Sequence, residues 1–202
     1  MGGRAGGGAG RSGGGGFGGA TERGLSVQEA RTLLAEEAGI RGNNFETAVI
    51  VDANGKIVMK KAGQKTSVSF DGANLTNNTL THNHPAAYKD HLGRPIANAS
   101  FSHKDIITAI STNSKGMRVI SQGGYHFSMT RPAGGWGVGG KAAAYTVGAE
   151  RRRLNAWVKS YINGYKGDKR VAAARAEQVY WHKLSKSVSK TLGYTYTKQK
   201  IK

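Results

Sequence analysis

The pattern of apolar and polar positions divides the chain into three segments. Residues 1–24 are dominated by glycine and have almost no apolar surface to bury, which predicts a flexible arm or linker. Residues 25–136 combine short β-branched runs with helical stretches, which predicts a domain of mixed helix and strand. Residues 137–202 show helical periodicity on a basic background, and we expect a basic helical tail there.

The middle segment is predicted to begin with a helix and to continue into strands. Ser26 followed by Glu29 is a capping-box pattern, which predicts a helix at 27–38 with Gly39 as its C-terminal cap. Asn54-Gly55 predicts a hairpin turn. Residues 62–76 are ambiguous, with a short strand at 66–70 as one interpretation. The other predicted elements are strands at 45–51, 56–61, 79–82, 117–121 and 125–130 and a helix at 102–112.

In the third segment, apolar residues recur at helical spacing within 141–163 and 169–190. This spacing predicts two amphipathic helices that pack on each other or on the preceding domain. Residues 193–196 predict a further short strand. The predicted fold class is therefore α/β, with a mixed, mainly antiparallel sheet flanked by helices and a basic helical C-terminal tail.

Composition excludes several classes of function. The chain has no cysteine, so disulfides, Cys-ligated zinc, iron–sulfur clusters and thiol nucleophiles are absent. It contains neither the H-E-x-x-H pattern of zincins nor a phosphate-binding G-x-x-x-x-G-K-[ST] loop. No apolar run is long enough to span a membrane, and no apolar stretch typical of a signal peptide follows the first Met. We therefore expect no signal peptide, and a cytoplasmic protein without a membrane partner.

Positive charge is concentrated near the C-terminus. The net charge is +18, and residues 141–202 hold 15 Lys and Arg residues against three acids. A basic segment of this kind predicts a polyanionic partner, either nucleic acid or an acidic protein face. A well-solvated helical surface is the alternative interpretation.

Two histidines and an aspartate are the candidate metal ligands. His82 and His84 lie two positions apart at the end of a predicted strand, so both side chains point to one face and can reach one ion. Asp105, one turn into the next predicted helix, is the candidate third ligand. Alternatively, the histidines are a hydrogen-bonded pair and Ser102-x-x-Asp105 is an ordinary helix cap.

The order of these residues resembles the JAMM motif of the JAB/MPN metallopeptidase family. In that motif an upstream Glu is followed by His-x-His-Pro and then by Ser-x-x-Asp, here Glu46, His82 to Pro85, and Ser102 to Asp105. The resemblance covers roughly residues 45–130. It implies the JAB/MPN-like, deaminase-like arrangement of sheet and helices within 25–136.

The resemblance also implies a function, that of a zinc-dependent metallopeptidase or isopeptidase. His82, His84 and Asp105 would bind Zn²⁺, whose bound water attacks the amide carbonyl. Glu46 would accept the proton of that water, and Ser102 would donate a hydrogen bond to the oxyanion. The implied substrate is a protein or peptide, including conjugates of ubiquitin-like proteins.

The spacing departs from the family pattern. Seventeen residues separate His84 from Ser102, where about seven are usual, and we interpret residues 86–99 as an insertion beside the site. In another register, Asp90 or His91 would be the third ligand. If Glu46 does not match the family glutamate, the metal is structural or the site inactive.

Two functions of other classes remain open. The motif also resembles domains of phage head-morphogenesis and mobile-element proteins, which implies a bacterial or phage-associated setting. In that case the chain is a structural protein that binds nucleic acid through its basic tail, with a vestigial or structural metal site. The other alternative is a toxin-like effector domain of a longer polypeptide.

Overall fold

The structure, a computed structural model, describes residues 24–70, 72–85 and 100–201. The predicted insertion at 86–99, with Asp90 and His91, and almost all of the predicted glycine-rich arm lie outside these residues. In chain order the elements are α1 (Val27–Ile40), β1 (Thr47–Val51), β2 (Ile57–Ala62), β3 (Thr79–His84), α2 (His103–Ser111), β4 (Gly116–Ser121), β5 (Tyr125–Thr130), α3 (Gly140–Gly164), α4 (Lys169–Leu192) and β6 (Thr195–Lys200).

The strands form one sheet in the order β2-β1-β3-β4-β5-β6. Only β3 and β4 run parallel within this sheet, joined by a connection that contains α2, while the other four pairings are antiparallel. The predicted class, an α/β protein with a mixed, mainly antiparallel sheet flanked by helices, is confirmed. The finer JAB/MPN architecture stays a prediction.

The two faces of the sheet are covered by different helices. Because side chains alternate along a strand, β1 turns Val49 and Val51 to one face and Ala48 and Ile50 to the other. The first face packs against α1, and the second packs against α2, α3 and α4 in the larger core. Large buried residues of that core are Leu80, Phe101, Ile106, Met117, Phe127, Met129 and Leu184.

Buried ion pairs hold α1 on its face of the sheet. The Glu37 carboxylate accepts hydrogen bonds from Arg118 Nε at 2.6 Å and Nη2 at 2.9 Å. The fully buried Glu29 accepts from Thr79 Oγ1 at 2.6 Å and from Lys115 Nζ at 2.5 Å. Each buried carboxylate is thus paired, as its removal from water requires.

The two ends of α1 and the turn beside it can be compared with the caps and the turn that the sequence predicts. The Ser26 capping box is confirmed. The expected stop at Gly39 is wrong, because the helix continues to Ile40 and its C-cap, Arg41, still has right-handed helical geometry. Gly55 has φ +81° in its turn, and a Cβ there would lie 2.8 Å from the backbone of Gln28. Only glycine fits this contact between turn and helix without strain.

The basic segment contributes to the same sheet and core. The helices α3 and α4 pack on each other, and α3 also packs on α2, as the amphipathic pattern predicts. The strand β6 pairs along its whole length with β5. Residues on both sides of the predicted boundary at 136 therefore share one core.

The short strand predicted at 66–70 is wrong. The backbone turns tightly at its start, where the Gln64 N–H donates to the Ser67 carbonyl at 2.7 Å. Within the part of the chain that the structure describes, no helix has both the length and the apolarity needed to cross a membrane.

Candidate metal centre

His82 and His84 lie at the carboxyl end of β3 and face the core that contains α2. Their Nε2 atoms are 3.1 Å apart, and the rings meet edge to face with centroids 4.9 Å apart. The backbone of a strand dictates this arrangement, because positions i and i+2 project to one side. His82 is almost fully buried, whereas His84 is partly exposed, so the pair lies at the edge of the core.

Asp105 reaches the histidines from the first turn of α2. Its Oδ2 accepts the backbone N–H of Ser102 at 2.7 Å, and Ser102 Oγ accepts the Asp105 N–H at 3.2 Å. Asp105 Oδ1 lies 3.7 Å from His82 Nε2, and Oδ2 lies 3.9 Å from His84 Nε2. The Asp105 carboxylate therefore both caps α2 and lies near the two histidines. Its hydrogen bond to the Ser102 N–H fixes its orientation.

These three side chains offer one nitrogen or oxygen each within 4.8 Å of one another. Two ligands of a tetrahedral zinc ion, at about 2.0–2.1 Å from the metal, lie about 3.4 Å apart. The observed separations of 3.1, 3.7 and 3.9 Å need small side-chain adjustments to reach that value. Two imidazoles and one carboxylate form a donor set that fits zinc.

The environment keeps His82 in the form that a metal requires. Burial lowers the pKa of His82 to about 4, and the effect exceeds the opposing attraction of Asp105. The ring is therefore neutral near neutral pH and its Nε2 lone pair is available. Among the described residues, the buried His82 Nδ1 has no hydrogen-bond partner.

Glu46 lies beside this cluster, immediately before β1. The pairing of β1 with β3 ends at Ala48 and His82. Glu46 precedes Ala48 by two positions, which places it on the same face of the sheet as Ala48. Burial, and then the negative charge of Asp105, raise the pKa of Glu46 to about 8. The charge of Asp105 therefore acts on the Glu46 carboxyl, although Glu46 is not among the three residues whose ligand atoms lie within 4.8 Å of one another.

Asn83 is a site-supporting residue that the sequence pattern did not reveal. It points to the opposite face from the histidines and is fully buried. Its Oδ1 accepts the Thr47 N–H at 2.6 Å, and its Nδ2 donates to the carbonyls of Asn43 and Phe45. Asn83 thereby holds the backbone on both sides of Glu46 against β3.

Ser102 is a helix cap whose hydroxyl oxygen is used as an acceptor. The hydroxyl proton has no acceptor in that contact, so the group retains a donor. Ser102 lies one helical turn before Asp105. The predicted oxyanion contact requires Ser102 to be near the metal ligands, and this position is compatible with that requirement. Its catalytic role stays a prediction.

Among the described residues, the three remaining histidines are not part of the cluster. His103 stacks on Trp181 with ring centroids 5.9 Å apart. His126 is buried on the α1 face, with Nε2 3.6 Å from Glu37 Oε1. His182 contacts the hydroxyl of Tyr196 through Nδ1 at 2.8 Å.

Comparisons with protein-family models, curated proteins and solved structures find no match for this chain. The fold and the site define an α/β protein with a His-His-Asp cluster at the end of a central strand. Membership of the JAB/MPN family stays a prediction from the sequence motif.

Proposed function

We propose that the chain is a zinc-dependent hydrolase of amide bonds, acting on peptide or isopeptide bonds as the resemblance to the JAMM motif implies. The observation that carries the proposal is the convergence of three ligand atoms, from His82, His84 and Asp105, at one end of β3. A second carboxyl group, that of Glu46, lies on the same face beside them. A cluster of metal ligands with an adjacent acid–base group is the donor set that amide hydrolysis needs.

Each residue has a defined task in this proposal. Zn²⁺, when bound by the three ligands, supplies an acidified water and polarises the substrate carbonyl. Glu46 accepts the proton of the attacking water and delivers it to the departing amine. The Ser102 hydroxyl donates a hydrogen bond to the negative charge that develops on the substrate carbonyl oxygen. The Ser102 contact to Asp105 holds the two groups at a fixed separation.

The protonation state of Glu46 links metal binding to activity. With a pKa of about 8, this carboxyl is mostly protonated at neutral pH in the metal-free protein and is a poor base. A divalent cation nearby stabilises the carboxylate and lowers the pKa. Glu46 therefore becomes a competent base at neutral pH only when the neighbouring ligands hold a cation.

Metal content is the first test. Native protein should contain about one zinc per chain by mass spectrometry, as a single catalytic site requires. His82→Ala and Asp105→Asn should both lose it, whereas His103→Gln, a histidine on α2 outside the cluster, should retain it. Loss in His82→Ala alone would exclude Asp105 as the third ligand. Failure of native protein to take up zinc after reconstitution would overturn the proposal.

Hydrolysis is the second test. Glu46→Gln should keep its zinc but cleave amide substrates at least about 100-fold more slowly, because it has lost the acid–base group. Suitable substrates are a library of fluorogenic peptides and conjugates of ubiquitin-like proteins with isopeptide linkages. Equal cleavage by the native and Glu46→Gln proteins would exclude Glu46 from the reaction.

A further inference from the structure

Four lysines form a positively charged face of the molecule on α4 and β6. Lys183, Lys186, Lys190 and Lys198 are exposed, and we call them the lysine face. Lys183, Lys186 and Lys190 follow the spacing i, i+3, i+7, which places them along one stripe of α4. Burial, and then the positive charges of Lys198, Lys186 and Lys183, lower the pKa of His182.

The acids of the basic segment do not neutralise this face. Within the described residues, no ion pair joins an acidic side chain to any of the four lysines. The three acids of residues 141–202 contact other groups. Their partners are Arg153 and the Ser187 hydroxyl for Glu150, Arg170 for Asp168 and the Trp181 indole N–H for Glu177.

Two adjoining grooves run along the lysine face. One has a volume of about 320 Å³ and lies between α3 and α4, with Trp157 and Lys183 in its wall. The other has a volume of about 330 Å³ and lies between α4 and β6, with Tyr196 and Lys198 in its wall. Lys186 and Lys190 line both grooves, so the two grooves adjoin at these lysines, and we call them together the basic channel.

Aromatic rings lie in the channel beside the lysines. Trp157 is partly exposed, with Lys183 Nζ 5.2 Å from its ring centroid. Tyr161 stacks on Trp157 with centroids 5.6 Å apart and planes 26° apart. In the second groove the rings of His182 and Tyr196 lie 5.6 Å apart. Each groove thus combines cations with a flat ring surface.

We propose that this channel binds single-stranded DNA. Lysines neutralise successive phosphates, and ring faces accept unstacked bases, which is the combination that recognises single strands. A duplex keeps its bases stacked inside and offers no base face to Trp157. RNA recognition relies in addition on partners for the 2′-hydroxyl, and the three hydroxyls that line the two grooves already have hydrogen-bond partners. These partners are Glu150 for Ser187, the Lys186 carbonyl for Ser189, and Ser100 and His182 for Tyr196. This binding is separate from the proposed hydrolysis and does not depend on it.

Fluorescence anisotropy with a labelled oligothymidylate of about 12 nucleotides, within the site size of single-strand binders, tests the channel. The variant Lys183→Gln/Lys186→Gln/Lys190→Gln should bind at least about tenfold more weakly. The slope of log affinity against log salt should fall by about 2, roughly 0.7 for each phosphate that is no longer neutralised. These lysines are exposed, and circular dichroism should show an unchanged fold.

A control variant that loses the same number of charges distinguishes binding at the channel from binding that depends only on the net charge of the protein. Lys56→Gln/Lys61→Gln/Lys65→Gln removes the same charge from exposed positions in and around β2. It should bind within about threefold of the native protein, because the channel lysines still neutralise the same phosphates. Equal weakening in both triple variants would overturn the proposal, because binding would then follow the total charge alone.

Tryptophan fluorescence tests the stacking. Native protein should be quenched by the oligonucleotide, and Trp157→Phe should lose most of this quenching while it retains affinity through the phenyl ring. Trp136→Phe, which changes a buried ring, should keep the quenching. Unchanged quenching in Trp157→Phe would overturn the stacking. Equal or tighter binding of duplex DNA, RNA of the same sequence or heparin would overturn the assignment to single-stranded DNA.

Discussion

The Asp105 carboxylate caps α2 and also lies beside the two histidines as a candidate metal ligand. Substitutions can separate these two roles. Asp105→Ala removes the acceptor for the Ser102 N–H, and it should lower the free energy of unfolding by about 1 kcal/mol. Asp105→Asn keeps an oxygen at that position and should stay within about 0.5 kcal/mol of the native protein. Both should lose zinc. Urea unfolding in a chelator, beside metal analysis, measures both effects, and equal stability of the two variants would contradict the cap.

The raised pKa of Glu46 has a consequence for stability in the metal-free protein. The folded carboxyl ionises at about pH 8 and the unfolded one near 4.5. Its contribution to stability is therefore complete below about pH 4.5 and is lost as the pH rises through about 8.

We expect Glu46→Gln to gain stability relative to the native protein between about pH 5 and about pH 9. The gain should be about 2 kcal/mol, a value reduced because the carboxyl keeps some contact with solvent. Urea unfolding at both pH values in the presence of a chelator measures this difference. If the difference in unfolding free energy between Glu46→Gln and the native protein is the same at both pH values, the pKa of Glu46 is not raised in the folded protein.

At the scale of single residues, the sequence predicts some parts of the site better than others. The shared direction of His82 and His84 follows from the period of a strand, which is a local property. The approach of Asp105 depends on how α2 packs. Its position one turn into the predicted helix made it a candidate ligand, and the resemblance to the JAMM motif supported that choice. Asn83 was missed because its role depends on Asn43 and Phe45, about forty residues earlier in the chain.

At the scale of elements, α1 is attached to the sheet by the buried pair of Glu37 and Arg118. Arg118→Met should lower the free energy of unfolding by about 3–5 kcal/mol, because Glu37 is left buried without its cation. The double variant Glu37→Leu/Arg118→Met should recover most of this loss, since no unpaired charge remains. A double-mutant cycle by urea unfolding measures the coupling, and additive losses would contradict it.

Local patterns predicted most elements because each carries its own signal of period, cap or turn. The exceptions are those whose outcome depends on distant partners. Residues 66–70 have strand-like composition, but the backbone turns at Ser67 and these residues are irregular rather than part of a strand. The pairing of β6 with β5 joins segments about seventy residues apart, and no local pattern reveals which strand a basic run such as Thr195–Lys200 will join.

At the scale of the molecule, the shared core predicts cooperative unfolding. Tyr194 and Leu184 from the basic segment are buried in the same cluster as Phe127 and Met129. Hydrogen exchange should therefore show the slowest amides of β3 and of α4 opening with the same free energy, within about 1 kcal/mol. Earlier exchange throughout α3 and α4 would instead indicate an independent unit after residue 136.

The position of β6 also affects how the protein avoids aggregation. Without β6, the sheet would end at β5, whose apolar side chains and free backbone groups form a template for pairing with another copy. With β6 in place, that edge of the sheet carries Lys198 and Lys200, and the opposite edge, β2, carries Lys60 and Lys61. Two such edges repel each other on approach, so Lys198, which also belongs to the lysine face, contributes together with Lys200 to opposing edge-to-edge polymerisation.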